Sequence, residues 1–294
     1  MNAHMNARTI FTGGVRRTLW FALAVQRRMQ LTPRPQYALE YIGYLRHVQH
    51  VRESGARRNP DRFAGAFFSP VERMLARAED VAALREQALY HYVLARTRHY
   101  DQVITDGITD GFEQLVFFGV GADTRAFRFR DQLDEAGIRV IETDMEPWLS
   151  ARIRRCRSLT APRDFCQIEF ILGETDPEAW MRAAGYDRRR RTLFIAEGVT
   201  PYLTGAAHGA LLQFVSAHAS AGSRLAYDGK YAGAGDGAPG LFRMSRDPEE
   251  ITAMLSAAGF RAERIVSSAG MQKELAPYDA PVFDEDVFVV ASIG

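Results

Sequence analysis

The stretch Leu115-Val-Phe-Phe-Gly-Val-Gly-Ala-Asp-Thr-Arg125 decides the fold. Its apolar run, Leu115 to Phe118, reads as a buried strand, and Gly119 and Gly121 then turn the chain toward a helix beginning near Thr124. A loop of this kind at the carboxyl end of a strand is a small-molecule binding loop, because glycine lets a ligand approach the backbone and accepts positive φ. A dinucleotide fingerprint would need a third glycine and a helix start free for a pyrophosphate. Here Thr124 stands at that third position, and Asp123 comes just before it. Phosphates would be repelled by Asp123, whereas a ligand carrying an ammonium and a sulfonium would be attracted.

Composition narrows the class. The 294 residues suffice for one large α/β domain with an appendage or for two small domains. With 47% hydrophobic and 25% charged residues the chain reads as soluble and globular, and a net charge of +1 gives no global basic field for nucleic acid. Cys156 and Cys166 are the only cysteines, which supports neither a disulfide framework nor a zinc site, so no metal is expected and the compartment reads as reducing and cytoplasmic. Arg16 to Val25 sets basic residues before a short apolar run that cannot span a bilayer, which takes about 20 apolar residues. It reads as an amphipathic helix, and no integral membrane segment is expected.

Residues 1–88 lack strand alternation and read as helices broken at Pro33, Pro35, Pro60 and Pro70. Tyr37, Tyr41 and Tyr44 line one helical face, and His47 and His50 share helical spacing without acidic partners nearby. Val81 to Thr97 reads as one continuous helix. From residue 89 strands alternate with helices. The strands are read at Ile138–Ile141, Gln167–Leu172, Thr192–Ala196, Arg224–Tyr227, Ala262–Val266 and Val287–Ala291, the last two as a hairpin-like pair. Such alternation predicts a doubly wound, mostly parallel α/β sheet with its ligand across the strand ends. Glu142, 21 positions past Gly121 and at a strand end, is placed to accept from ribose hydroxyls, while Asp144 suits a helix cap. Glu197 is another acid at a strand end. Four arginines, Arg188 to Arg191, read as a solvated loop, and residues 230–246 as a mobile loop near the cleft. S-adenosylmethionine answers the description of the ligand.

Four segments, taken together, carry a resemblance: Ala95-Arg-Thr-Arg-His-Tyr-Asp101, Val116 to Arg128, Ile141-Glu-Thr-Asp144 and Ala196-Glu-Gly-Val-Thr-Pro-Tyr-Leu203. They are similar to the leucine carboxyl methyltransferase family, and more closely to its bacterial branch of S-adenosylmethionine-dependent O-methyltransferases, many of which act in polyketide and other secondary metabolism. The resemblance implies a Rossmann-like class I methyltransferase sheet over residues 89–294 and an N-terminal helical lid over 1–88. It implies that Arg96 pairs with the methionyl carboxylate, that Gly119 and Gly121 admit the cofactor, and that Asp123 shapes their loop. Glu142 or Asp144 would hold the ribose, Glu174 (or Glu169) would lie near the adenine, Glu197 near the ammonium, and Tyr202 near the acceptor. The acceptor is expected to be a small molecule. For a phenolic acceptor the candidate bases are His47, His50 and His91, whereas a carboxylate needs none. A cofactor-binding protein without methyl transfer, or one that catalyses another biosynthetic reaction, is the alternative, and a homodimer is compatible with either. The sequence departs from the family at Val120, at Glu174 in place of aspartate, and in a Met-Glu-Pro extension after Asp144.

Overall fold

Strand β1 (Gln114–Phe117) is buried along its whole length because both of its faces are covered. Leu115 and Phe117 join one apolar core with Tyr90, Tyr100 and Phe288, whereas Val116 and Phe118 join a second core with Phe170, Trp180 and Phe214. Strand β4 (Thr192–Ala196) divides in the same way, Leu193 and Ile195 to one side and Phe194 and Ala196 to the other. Side chains alternate across a strand, so these continuous apolar runs specify a sheet sandwiched between helical layers.

The computed structural model describes residues 35–234, 240–276 and 278–294, the side chains of 35–40 excepted. Residues 40–294 make one compact unit. The segment Arg16 to Val25, the side chain of Tyr37 and the centre of the glycine-rich stretch at 235–239 lie outside the described residues.

Ahead of the sheet come helices α1 (Pro35–Arg52), α2 (Pro70–Arg77), α3 (Val81–Arg85) and α4 (Ala88–Thr109). Tyr41 and Tyr44 pack against the first core. The expected continuous helix over Val81 to Thr97 is instead two. The chain breaks at Glu86 and Gln87, which lets Arg85 reach back to Glu53 at 2.6 Å and offer its carbonyl to His91 at 2.7 Å.

After β1 follow α5 (Arg125–Arg128), α6 (Arg130–Glu135), β2 (Arg139–Asp144), α7 (Trp148–Cys156), β3 (Phe165–Glu169), α8 (Pro177–Ala184), β4, α9 (Gly205–His218), β5 (Arg224–Lys230), α10 (Pro248–Ala257), β6 (Phe260–Ser267), α11 (Ser268–Leu275) and β7 (Asp286–Ile293). Strand order is β3-β2-β1-β4-β5-β7-β6, all parallel except β7, which runs antiparallel between β5 and β6. The doubly wound, mostly parallel sheet is therefore as expected. β6 and β7 do pair, but α11 lies between them in the chain, so their connection is not a hairpin. The third strand ends three residues earlier than its apolar run suggested, because Ile171 begins a turn that accepts the N–H groups of Glu174 and Thr175.

The order reverses between β1 and β4, which opens a crevice at their carboxyl ends. That end also holds Asp228 and Lys230 of β5 and, through the antiparallel pairing Lys230↔Asp286, the start of β7.

Candidate functional site

The glycine turn leaves β1 with φ of 56° at Gly119 and 47° at Gly121, a backbone region costly to residues bearing Cβ. At Gly119 a Cβ would also meet Val199 Cγ2 at 2.8 Å, so the turn and the segment after β4 interlock. Gly121 N–H donates to Asp144 at 2.8 Å and Val120 N–H to the Thr143 carbonyl at 2.9 Å, which ties the turn to the end of β2.

Asp123 does not face outward. Its carboxylate accepts from Arg125 N–H at 2.7 Å and from the Arg125 guanidinium at 2.6 Å, and the residue is 7% exposed. Arg125, wholly buried, also meets Asp101 at 2.8 Å and Glu197. The charge expected at the crevice mouth is thus met within the protein.

Glu197 follows β4 and lies 2.9 Å from Arg96 of α4. Burial alone would raise the Glu197 carboxyl, but Arg125 and Arg96 outweigh it and hold it down at about 2. Arg96 also meets Asp228 at 3.2 Å. Burial works against its charge, and Asp228 and Glu197 prevail, so the guanidinium stays ionised. Asp228 accepts from Gly198 N–H at 2.6 Å and from Tyr100 hydroxyl at 3.1 Å, with its carboxyl raised by burial against the pull of Arg96. On the far side Asp286 accepts from Tyr92 hydroxyl and lies 2.8 Å from Lys230, which also reaches Glu285 at 3.0 Å.

The expected acidic pair after β2 separates. Glu142 is fully buried, forked by Arg152 and bonded by Gln167 at 2.8 Å. Asp144 remains partly exposed, and burial raises its carboxyl although Gly121 and Met145 N–H groups oppose the shift. Glu174 sits exposed on the turn after β3, and Glu169 accepts from Glu146 N–H at 3.1 Å.

Tyr202 lies in a 3-10 turn (Thr200–Tyr202) packed on the end of β5 and is 40% exposed; burial, its largest influence, raises its phenol. The histidines do not converge on it. Both ring nitrogens of His91 are engaged, with Arg85 carbonyl at 2.7 Å and Tyr278 hydroxyl at 3.2 Å. His50 meets the Asn59 carbonyl at 3.0 Å. His47 is buried against Phe68 without a hydrogen bond, and burial, with Arg77 adding to it, lowers its imidazole to about 4.

Sequence reasoning passed over Asp101, Arg125, Arg152 and Asp228. The first two stand inside quoted motifs; Arg152 lies in the helix after β2 and Asp228 near the carboxyl end of β5, and position is the one signal that could have raised them.

A search for known relatives gives a consistent answer. The sequence profile of leucine carboxyl methyltransferase matches residues 45–216. A provisionally named S-adenosyl-L-methionine-dependent methyltransferase of Frankia alni is 31% identical over 205 residues, 64% of this chain and 68% of the relative. One from Mycolicibacterium smegmatis is 33% identical over 178 residues, 59% of this chain and 56% of the relative. The aligned segments thus span between half and about two thirds of such relatives' lengths. Among solved structures, a provisionally named methyltransferase of Thermobifida fusca shares the fold, with a TM-score of 0.50 and 17% identity over 80% of this chain and 94% of that one.

Proposed function

The chain belongs to the leucine carboxyl methyltransferase family, whose cofactor is S-adenosylmethionine, and from that premise we propose that it methylates an oxygen of a small molecule, a carboxylate or a phenolic hydroxyl of a secondary metabolite. The observation that carries this reading is the charge at the strand ends. Asp101, Asp123, Glu197, Asp228, Glu285 and Asp286 outnumber Arg96, Arg125, Arg128 and Lys230 among the described residues, although the whole chain is +1. A crevice with surplus carboxylate favours a ligand of net positive charge over a pyrophosphate.

The residues present suit such a cofactor. Arg96 faces Glu197 through Nε and Asp228 through Nη2, which leaves Nη1 as the proposed donor to the methionyl carboxylate. Glu197, ionised at neutral pH, is the proposed partner of the ammonium, and partly exposed Asp144 the proposed partner of the ribose. Gly119 and Gly121 keep the wall of the crevice free of side chains, with Glu174 as the candidate at the adenine edge. When bound, the cofactor supplies an electrophilic methyl on its sulfonium.

The protein's task is then alignment, which alone can contribute about 7 to 11 kcal/mol. A carboxylate acceptor fits the site more simply than a phenol. It is ionised at neutral pH and needs no base, and His91 and His50 are committed elsewhere while His47 is paired with no crevice residue. Tyr202, exposed beside β5, is the side chain proposed to meet the acceptor. Formation of S-adenosylhomocysteine with a panel of carboxylic acids and phenols tests the proposal. Turnover with the acids supports it, and cofactor binding without turnover across both classes refutes transfer to oxygen.

A further inference from the structure

Two arginines outside the crevice wall hold the glycine turn. Arg152 of α7 is among the largest fully buried side chains. Its Nη1 donates to the carbonyls of Gly121 at 3.0 Å and Asp123 at 2.6 Å, while Nε and Nη2 fork onto Glu142. Arg46 of α1, 5% exposed, donates to the carbonyl between them, that of Ala122, at 3.1 Å. Three successive carbonyls are therefore all held by guanidinium groups.

The consequence follows from the planar trans peptide, in which C=O and N–H point opposite ways. Turning the Gly121 and Asp123 carbonyls onto Arg152 turns the Ala122 and Thr124 amides away from it. Only arginine can do this, because its planar fork serves two carbonyls and a carboxylate at once, whereas a lysine ammonium has three donors on one atom. Glu142 supplies the counter-charge that so deeply buried a guanidinium requires. Its oxygens are occupied by Arg152 and by Gln167.

We infer that Arg152 and Glu142 are a positioning pair. They set the direction of the glycine-turn amides toward the amino-acid end of the cofactor, and Glu142 is the partner of Arg152, not a ribose ligand. The inference rests on the S-adenosylmethionine reading and adds a division of labour to it.

Calorimetry on the full chain tests it with two probes: S-adenosylhomocysteine, and 5′-methylthioadenosine, which keeps the adenosine and thioether but lacks the amino-acid end. R152K and E142Q should each weaken S-adenosylhomocysteine at least tenfold and leave methylthioadenosine within twofold of wild type. Equal weakening of both probes by E142Q, the mark of a lost ribose contact, overturns the inference, and so does wild-type affinity for both in R152K. Should either variant fail to fold, the pair E142M/R152M, which removes both buried charges, should show the same selective loss; an equal loss of both probes again overturns it. Wild-type protein that binds neither probe removes the cofactor reading, and the inference with it.

Discussion

Arg96 and Glu197, 101 positions apart in the chain, meet at 2.9 Å beside the switch point of the sheet. One comes from the helix that precedes the first strand and the other from the end of the fourth, so the pair joins two elements that are distant in the chain.

Arg96→Ala should cost both binding and stability. Loss of a charge-assisted bond of about 1.5 to 3 kcal/mol predicts at least tenfold weaker S-adenosylmethionine binding by calorimetry. Glu197 and Asp228 would lose a buried partner, and denaturant melts should show destabilisation of about 3 kcal/mol or more. An unchanged dissociation constant would remove Arg96 from the cofactor site.

Gly119→Ala meets two obstacles, the positive φ and Val199 Cγ2 at 2.8 Å. The backbone part alone is worth about 1 to 2 kcal/mol. Adding Val199→Ala should recover the steric part and leave the backbone part, read as two separate steps in the melting temperature. Full recovery would show that φ at this position carries no cost.

His208 has its imidazole lowered to about 4 by burial and stacks on Phe242 at 3.8 Å. A histidine whose folded value is depressed is protonated more readily when unfolded, so stability falls as pH drops from about 6.5 toward 4. His208→Phe should remove that penalty, gaining about 2 kcal/mol at pH 5 relative to its effect at pH 8. Identical differences between variant and wild type at the two pH values would contradict the assignment.

Tyr202→Phe should raise the acceptor KM severalfold and leave the S-adenosylmethionine dissociation constant unchanged, because Tyr202 is the exposed residue of that turn and pairs with none of the proposed cofactor ligands. A shift in cofactor affinity instead would place Tyr202 against the cofactor.

What the sequence disclosed is local. The glycine turn, the acids at the ends of β2 and β4 and the order of alternating elements are each written within ten or so adjacent residues, where period and turn chemistry operate. The charge network was hidden because its members are far apart: Arg125 meets Glu197 across 72 positions, and Tyr100 meets Asp228 across 128. Nothing in Arg152 as a letter sets it apart from the other arginines, and only folding shows that it is buried on Glu142. Asp123 reads from the sequence as an outward charge, whereas in the fold Arg125, two residues on, turns back to claim it. The split of α3 from α4 had a similar origin, since the helix-forming run across Glu86 and Gln87 yields to the distant contact between Arg85 and Glu53.

The central claim is that this crevice selects a positively charged adenosyl donor. Calorimetric titration of the full chain with S-adenosylmethionine, repeated in the presence of saturating NAD, tests it most directly. The account predicts saturable one-to-one binding that NAD leaves unchanged. Absence of binding at millimolar S-adenosylmethionine, or its displacement by the pyrophosphate coenzyme, would contradict it.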